Sequence, residues 1–485
     1  MLPSNTVEIV KNLSKNDFKR FGDFLKSPYF NSKETLYQLF KEVEKASPDF
    51  KPEKFEYKRI YKKIYGGEYK EQTIKNLYSE FGGLLKKFIA HERLEKSELE
   101  FNISLIKGLS ENKCYEASNK QVASLKKSIN NFQIPEEDTY YYNQVLETKL
   151  LENSISMNVF DLDDIHFRYN SIIINLINFS LDTIYHIASD DSIVLKAYNV
   201  KKDFSEIQKS FFGAFDAEKY FNSESGKLAP PSLKVRYLSY EYIQNEITFE
   251  QYKALEDLII ENIDKFSVVF KLYAWQSLLY ILILKLIPKD KKHYEDAFRV
   301  CDYFFKQKIY PNTLEPYIAK SLVRDVFGVA LVLKKFDWAE NFINEVWHYM
   351  DEDSREDEMN YSMGRLKFQT KKYEESLEYL SKVKFQVVDE KINVRFYYLM
   401  NYIELKSYQA AISMLNSIRQ FYFESKELPE MYAVLTESSL KFFREIIRAE
   451  ENNKKLDYSI YKEAQNAGRY YHKQYILAKM EQLVK

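Results

Sequence analysis

A chain reverses direction most readily at glycine and proline, and this one has 11 of each in 485 residues. An average protein devotes roughly 12% of its length to the two together. Parallel α/β folds need glycine at strand-to-helix turns and in phosphate loops, and β-sandwiches need both residues in their hairpins. Neither requirement is met. Charged residues make up 29% of the chain and apolar residues 45%, too much hydrophobic surface for a disordered chain to leave in water. The expectation is an all-α protein, long enough for two to four domains or one elongated array of helices.

Two cysteines, Cys114 and Cys301, cannot form a disulfide framework and have no C-x-x-C partner, which fits a reducing, cytoplasmic setting with both thiols buried as small hydrophobes. Lys11, Lys15 and Asp17 break any apolar core of signal-peptide length near the N-terminus. The most membrane-like stretch, 272–284, is short of the ~20 apolar residues that a span needs and reads as a helix buried on all sides. Net charge is −1 overall. Residues 1–90 carry 18 basic and 12 acidic side chains, or +6, leaving −7 for the remainder.

Three regions follow from the apolar periodicity. Residues 1–95 form a helical N-terminal module. Ser14 caps the stripe Phe18, Phe21, Phe24 and Leu25, with Asp17 at the capping-box position and Ser27-Pro28 as the stop. Asn31 is expected to cap a second stripe, Leu36, Leu39, Phe40 and Val43, ended by Pro48 and Pro52. Tyr57, Ile60, Tyr61, Ile64 and Tyr65 make a third, closed by Gly66-Gly67, where left-handed backbone is cheap. Ile74, Leu77, Tyr78, Phe81, Leu84, Leu85 and Phe88 make a fourth. Residues 96–221 are further helices, including the strongly apolar run 172–184. A linker, 222–232, gathers Ser, Gly and the chain's one Pro-Pro pair before a third region, 233–485.

In that third region one pattern returns. It reads Tyr294/Ala297/Cys301/Phe304, Phe336/Ala339/Ile343/Val346, Tyr373/Ser376/Leu380/Val383 and Tyr408/Ala411/Leu415/Ile418, with aromatic-to-aromatic distances of 42, 37 and 35 residues. Offsets of 0, 3, 7 and 10 place all four side chains on one helical face, and the small second residue admits a close partner helix. Gly364, nine residues before Tyr373, supplies a small residue on the preceding helix, where Leu399, Phe327 and Lys285 stand in the other copies. Tyr461/Ala464/Gly468/Tyr471 keeps three of the four marks. The pattern resembles the second helix of a tetratricopeptide repeat, whose period is about 34 residues. That resemblance covers just over half the chain and implies an α-solenoid of helix pairs with a concave groove. The run Leu13 to Asn31 is also similar to the start of a group of uncharacterised bacterial helical proteins, a likeness that implies no function.

Catalytic and cofactor motifs are absent from the sequence. The six histidines stand singly, and His91-Glu92-Arg93-Leu94-Glu95 has Glu where a second zinc-binding His would be, so it reads as an exposed charged face. Asp161, Asp163, Asp164 and His166 read as a capped helix start, and Asp351-Glu352-Asp353 lacks the glycine of a calcium loop. Gly226-Lys227 is followed by Leu228 instead of Ser or Thr, and there is no G-x-G-x-x-G or G-x-S-x-G. The expectation is a non-catalytic scaffold or adaptor, without cofactor or metal, that takes a peptide or protein partner in its groove. Under the tetratricopeptide resemblance Arg324, Tyr361, Arg365, Gln369 and Asn393 would face it. A second reading, a nucleic-acid or ribonucleoprotein-associated factor, rests on Lys58, Arg59, Lys62 and Lys63 beside Tyr57, Tyr61 and Tyr65. A third, a peptide-responsive regulator, needs a recognition helix within 55–90.

Overall fold

The computed structural model describes residues 3–47, 49–129, 134–159, 161–197, 205–227, 229–310, 318–385, 387–424 and 430–485. Among them every regular element is helical. Pro48 and Leu228 lie outside these residues. The chain divides into two compact units, Met1–Ile129 with Glu152–Val159, and Asn130–Leu151 with Phe160–Lys485.

The first unit is built around phenylalanine. On helix Lys15–Lys26, Phe21 packs its ring against Phe40, Phe81 and Phe88 at centroid distances of 5.8, 5.4 and 5.3 Å. These rings come from helices Glu34–Ala46 and Glu71–Lys96. Beside Phe21, a β-carbon on Gly22 would lie 2.7 Å from the Phe40 ring, so the close approach needs glycine. Ser14 caps its helix, accepting from the Asp17 amide at 3.0 Å. Asn31 does not cap the next one. Its side chain accepts from the Lys33 amide and donates to the Leu25 carbonyl, folding the connection into a side-chain turn, and the helix starts at Glu34. Gly66 and Gly67 adopt φ of 61° and 60°, as their place after the third stripe predicts. Glu92 departs from the expected exposed face: it is buried and paired with Arg20 at 2.9 Å. A helix pair, Glu98–Glu111 and Tyr115–Ser128, completes the unit.

The second unit begins with the greater part of helix Glu136–Ser156 and the long helix Leu162–Ala197. Within the proposed linker a turn of helix forms at Glu224–Lys227, and Pro231 opens helix Pro231–Gln244 at its first position, where a missing amide costs nothing. The apolar 272–284 stretch lies in helix Val268–Ile281 and the π-turn Leu282–Leu286 that continues it. It is not buried on all sides, since Leu284 is exposed. By length and composition, Leu162–Asp191 and Val268–Leu286 are apolar enough to cross a membrane, with 28% and 44% of their windows buried. Cys301 is buried as expected; Cys114 is exposed.

Four recurrences of the aromatic pattern mark the second helix of a packed pair: His293–Lys306 on Val268–Ile281, Phe336–Val346 on Lys320–Val332, Tyr373–Ser381 on Arg355–Gln369 and Tyr408–Glu424 on Val388–Glu404. The Tyr461 copy does not, since helix Tyr458–Asn466 ends before Gly468 and Tyr471 and packs on Lys473–Val484. The small residues Ala297, Ala339, Ser376, Ala411 and Ala464 are all 0% exposed, as the close-approach argument requires. First helices of neighbouring pairs also touch, Lys320–Val332 against Arg355–Gln369 and that helix against Val388–Glu404.

Candidate functional site

The turns within these pairs explain how the chain manages without glycine. Lys334, Lys371 and Lys406 each adopt positive φ, at 56°, 62° and 56°, two residues before the aromatic. The next amide reaches back five residues: Lys335 to the Ala330 carbonyl, Lys372 to Lys367 and Ser407 to Tyr402, at 2.8–2.9 Å. This is the Schellman closure, with lysine where glycine is usual. Lysine bears the left-handed strain and keeps a soluble side chain at the turn.

The same device stands in the first unit, where the sequence reading did not look for it. Lys113 has φ of 60°, Cys114 donates to the Leu109 carbonyl at 2.8 Å, and Tyr115 opens the next helix. Tyr115/Ser118/Val122/Leu125 has the same offsets of 0, 3, 7 and 10, which was the available signal. The correspondence extends to polar chemistry. Ser376 donates to the Gly364 carbonyl, twelve residues back, at 2.8 Å and accepts from Asn401 at 2.9 Å. Ser118 donates to the Ile106 carbonyl, also twelve back, at 3.2 Å and accepts from Asn153 at 3.1 Å. A buried serine thus ties its own first helix to the asparagine of a following helix in both units.

Three of the five expected groove residues meet at one ring. The guanidinium of Arg324 lies 5.6 Å and that of Arg365 5.5 Å from the centroid of Tyr361. Both arginines are half-buried. Tyr361 is 7% exposed. Arg324 grips the buried Glu358 through two nitrogens and reaches Glu390 at 3.0 Å, so burial, which opposes its charge, is outweighed and its pKa rises. Around Arg365 the chain closes on itself. His472 packs on Tyr397 at 5.1 Å, and burial together with the Arg365 charge pushes it down to about 3, so the imidazole is neutral. Asp325, near both arginines, is pushed up to about 6 by burial. Gln369 is exposed and Asn393 half-buried, and neither joins the cluster. The C-terminal helix Lys473–Val484 continues the closure: Tyr475 contacts Phe368 and donates to Glu404 at 2.7 Å, and Lys479 reaches Glu404 and Glu450 at 3.0 and 3.1 Å.

An open cavity lies one turn further on. About 670 Å³ is enclosed by Val383, Lys384, Phe385, Lys391, Val394, Arg395, Tyr398, Met414 and Ser417. The lining combines three cations with an apolar floor and, among the described residues, no carboxylate. Arg395 is the telling member. Buried Arg236, half-buried Arg324 and exposed Arg299 each pair with a carboxylate, Asp182 at 3.4 Å, Glu358 at 2.8 Å and Glu256 at 2.6 Å, and each has a raised pKa. Arg395 instead donates to the Lys391 carbonyl and stacks on Phe421 at 4.0 Å, and burial alone lowers it. Its charge is held part-way out of water without an opposite charge beside it among the described residues.

The N-terminal basic residues are arranged differently. Lys58, Arg59 and Lys62 are exposed, and Lys63 pairs with Glu42. Tyr61 is buried, Tyr57 half-buried and Tyr65 exposed, so the tyrosines belong mainly to the core. Asp161 accepts from the amides of Asp163 and Asp164 and caps its helix. No group of three or more His, Cys, Asp or Glu suited to a metal ion occurs among the described residues. No protein-family model matches the chain, and no curated protein is significantly similar to it.

Proposed function

We propose that the helix pairs from about residue 233 onward stack as a tetratricopeptide-like solenoid, and that the protein is a non-catalytic scaffold or adaptor. Its partner is an acidic, partly apolar protein segment seated in the cavity at 383–417. One observation carries this reading: Arg395, beside Lys391 at the rim of an apolar floor, is half-buried with no carboxylate against it among the described residues. A ligand carboxylate next to aliphatic side chains would supply the missing charge and cover the floor. A charge-assisted hydrogen bond of that kind contributes about 1.5–3 kcal/mol. The solenoid resemblance adds that neighbouring pairs would present such sites along one surface.

Tyr361 is buried and Arg365 lies against its ring, away from the cavity lining, so the variant is Lys391→Glu with Arg395→Glu. Anisotropy of a fluorescein-labelled peptide of mixed Leu and Glu should show binding that weakens with salt. The double variant should bind at least tenfold more weakly, which corresponds to about 1.4 kcal/mol. Equal binding by the two proteins would overturn the site. Purification of the whole chain with and without nuclease separates this reading from the nucleic-acid one. Partners lost on nuclease treatment, and lost again in Lys58→Glu with Lys62→Glu, would favour the latter.

A further inference from the structure

The long helix Leu162–Ala197 is held from one side only. Arg168 pairs with Glu147 at 3.1 Å, Asn178 accepts from Tyr220 at 2.8 Å, Asp182 faces Arg236, and Leu181 and Tyr185 enter a small core with Leu233. On the other side stand Leu162, Tyr169, Ile173, Leu176, Ile177 and Ile187, with exposures from 36% at Ile177 to 76% at Leu162. Leu162, Tyr169 and Leu176 are seven apart, and His166, Ile173, Ser180 and Ile187 follow at the alternate seven-residue positions. Steps of four and three make this a coiled-coil seam, about 38 Å long at 1.5 Å per residue.

The geometry points to a second copy of this chain as what covers that seam, through pairing of the two Leu162–Ala197 helices about a twofold axis. Two observations choose this occupant. The first is area. At roughly 200 Å² per large apolar side chain, these six residues leave about 600 Å² in water, the lower end of the roughly 600–1,000 Å² that each partner contributes to a specific interface. The second is charge. From Tyr169 to Leu181 there is no ionisable side chain, and the positions flanking the seam include Ile172, Ile177, Phe179 and Ile184. Two identical helices therefore meet along the middle of the seam without setting like charges together. A strongly acidic or basic partner would find nothing there to complement it.

Sedimentation of the whole chain tests this. Twice the 58.0 kDa chain mass is expected by about 50 µM, because interfaces of this size bind in the micromolar range or tighter. Ile173→Lys with Leu176→Lys, both exposed and outside the core, should return the protein to the single-chain mass with unchanged far-ultraviolet circular dichroism. If that variant loses helicity, Ile173→Glu with Ile187→Glu serves in its place. A single-chain mass throughout, or a dimer untouched by a folded seam variant, would overturn the inference. Flotation of single chains with phosphatidylcholine vesicles, abolished by the same variants, would do so too by assigning the seam to a lipid surface.

Discussion

The serine–asparagine tie can be taken apart by a double-mutant cycle at Ser376 and Asn401. Ser376→Ala removes one hydroxyl that makes two bonds, to the Gly364 carbonyl at 2.8 Å and from Asn401 at 2.9 Å. At about 1 kcal/mol each, the loss is about 2 kcal/mol. Asn401→Ala removes the bond to Ser376 and another to the Tyr397 carbonyl at 2.8 Å, and it leaves a small void at a fully buried position, for about 3 kcal/mol. The shared bond is lost once in the double variant, so the two losses should overlap by about 1 kcal/mol. Urea titration followed by tryptophan fluorescence is the assay. Trp275, Trp338 and Trp347 are the chain's three tryptophans and all lie in the second unit, so the signal reports that unit alone. The slope with urea should not change. Strictly additive losses, or a cost below about 0.5 kcal/mol for Ser376→Ala, would show that the tie holds nothing. Ser118→Ala should weaken the pair Glu98–Glu111 and Tyr115–Ser128 to a similar degree, read by amide hydrogen exchange because no tryptophan lies in that unit.

Gly364→Ala should destabilise by about 1–2 kcal/mol despite alanine's better helix propensity, since its β-carbon would lie 2.8 Å from Leu380. Gly83→Ala, where a β-carbon meets nothing within 4 Å on an exposed helix face, should stabilise by up to about 1 kcal/mol, and equal effects in the two urea or hydrogen-exchange measurements would discredit the packing argument. Lys371→Gly relieves a left-handed lysine and should raise the thermal midpoint, by about 0.5–1 kcal/mol in stability; a lower midpoint would mean that the lysine stem contributes more than the strain costs. His472→Asn tests the buried imidazole through pH. Neutral in both states above pH 6.5, His472 costs nothing there. Below it the unfolded chain takes up a proton that the folded chain refuses until about pH 3. Wild type should therefore lose about 1.4 kcal/mol per pH unit relative to the asparagine variant between pH 6.5 and 4.5. Raised Asp325 acts in the opposite sense but is present in both proteins, so parallel stability curves would refute the assignment to His472.

Much of the helical architecture was legible because helix periodicity is a local property. Phe21, Ile60, Phe81 and the small residues of the aromatic pattern are buried where their spacing puts them. Local reading failed where a distant partner decides. Glu92 looks like one charge among several on a polar face until Arg20, seventy-two residues earlier, is placed beside it. Asn31 has the composition of a cap, yet the Leu25 carbonyl competes for its side chain. Tyr361 and Arg365 sit on the face that a stacked first helix would present, but His472, beside Arg365 and Tyr397, comes from about a hundred residues further along the chain. Arg395 could not be singled out at all, because what distinguishes it is a missing carboxylate, and pairing is a property of three-dimensional neighbours.

The packing around Tyr361 also bears on the binding role proposed for the cavity at 383–417. A pocket that must reorganise spends part of its binding energy on ordering its own side chains. Here the helix that supplies Lys391, Val394 and Arg395 is clamped near both ends. Toward its start Glu390 is held by Lys320 at 2.6 Å and Arg324 at 3.0 Å; at its end Glu404 is held by Tyr475 and Lys479. Asn401, in its last turn, is tied to Ser376 on the preceding pair. None of these ties uses a residue that lines the cavity, so in the proposed reading the helix that carries Arg395 is held in place before a ligand arrives. The C-terminal helix braces the helix that lines the cavity, and in the proposed solenoid it would also be the terminal cap. Loss of that brace should weaken peptide binding even though none of its residues lines the pocket.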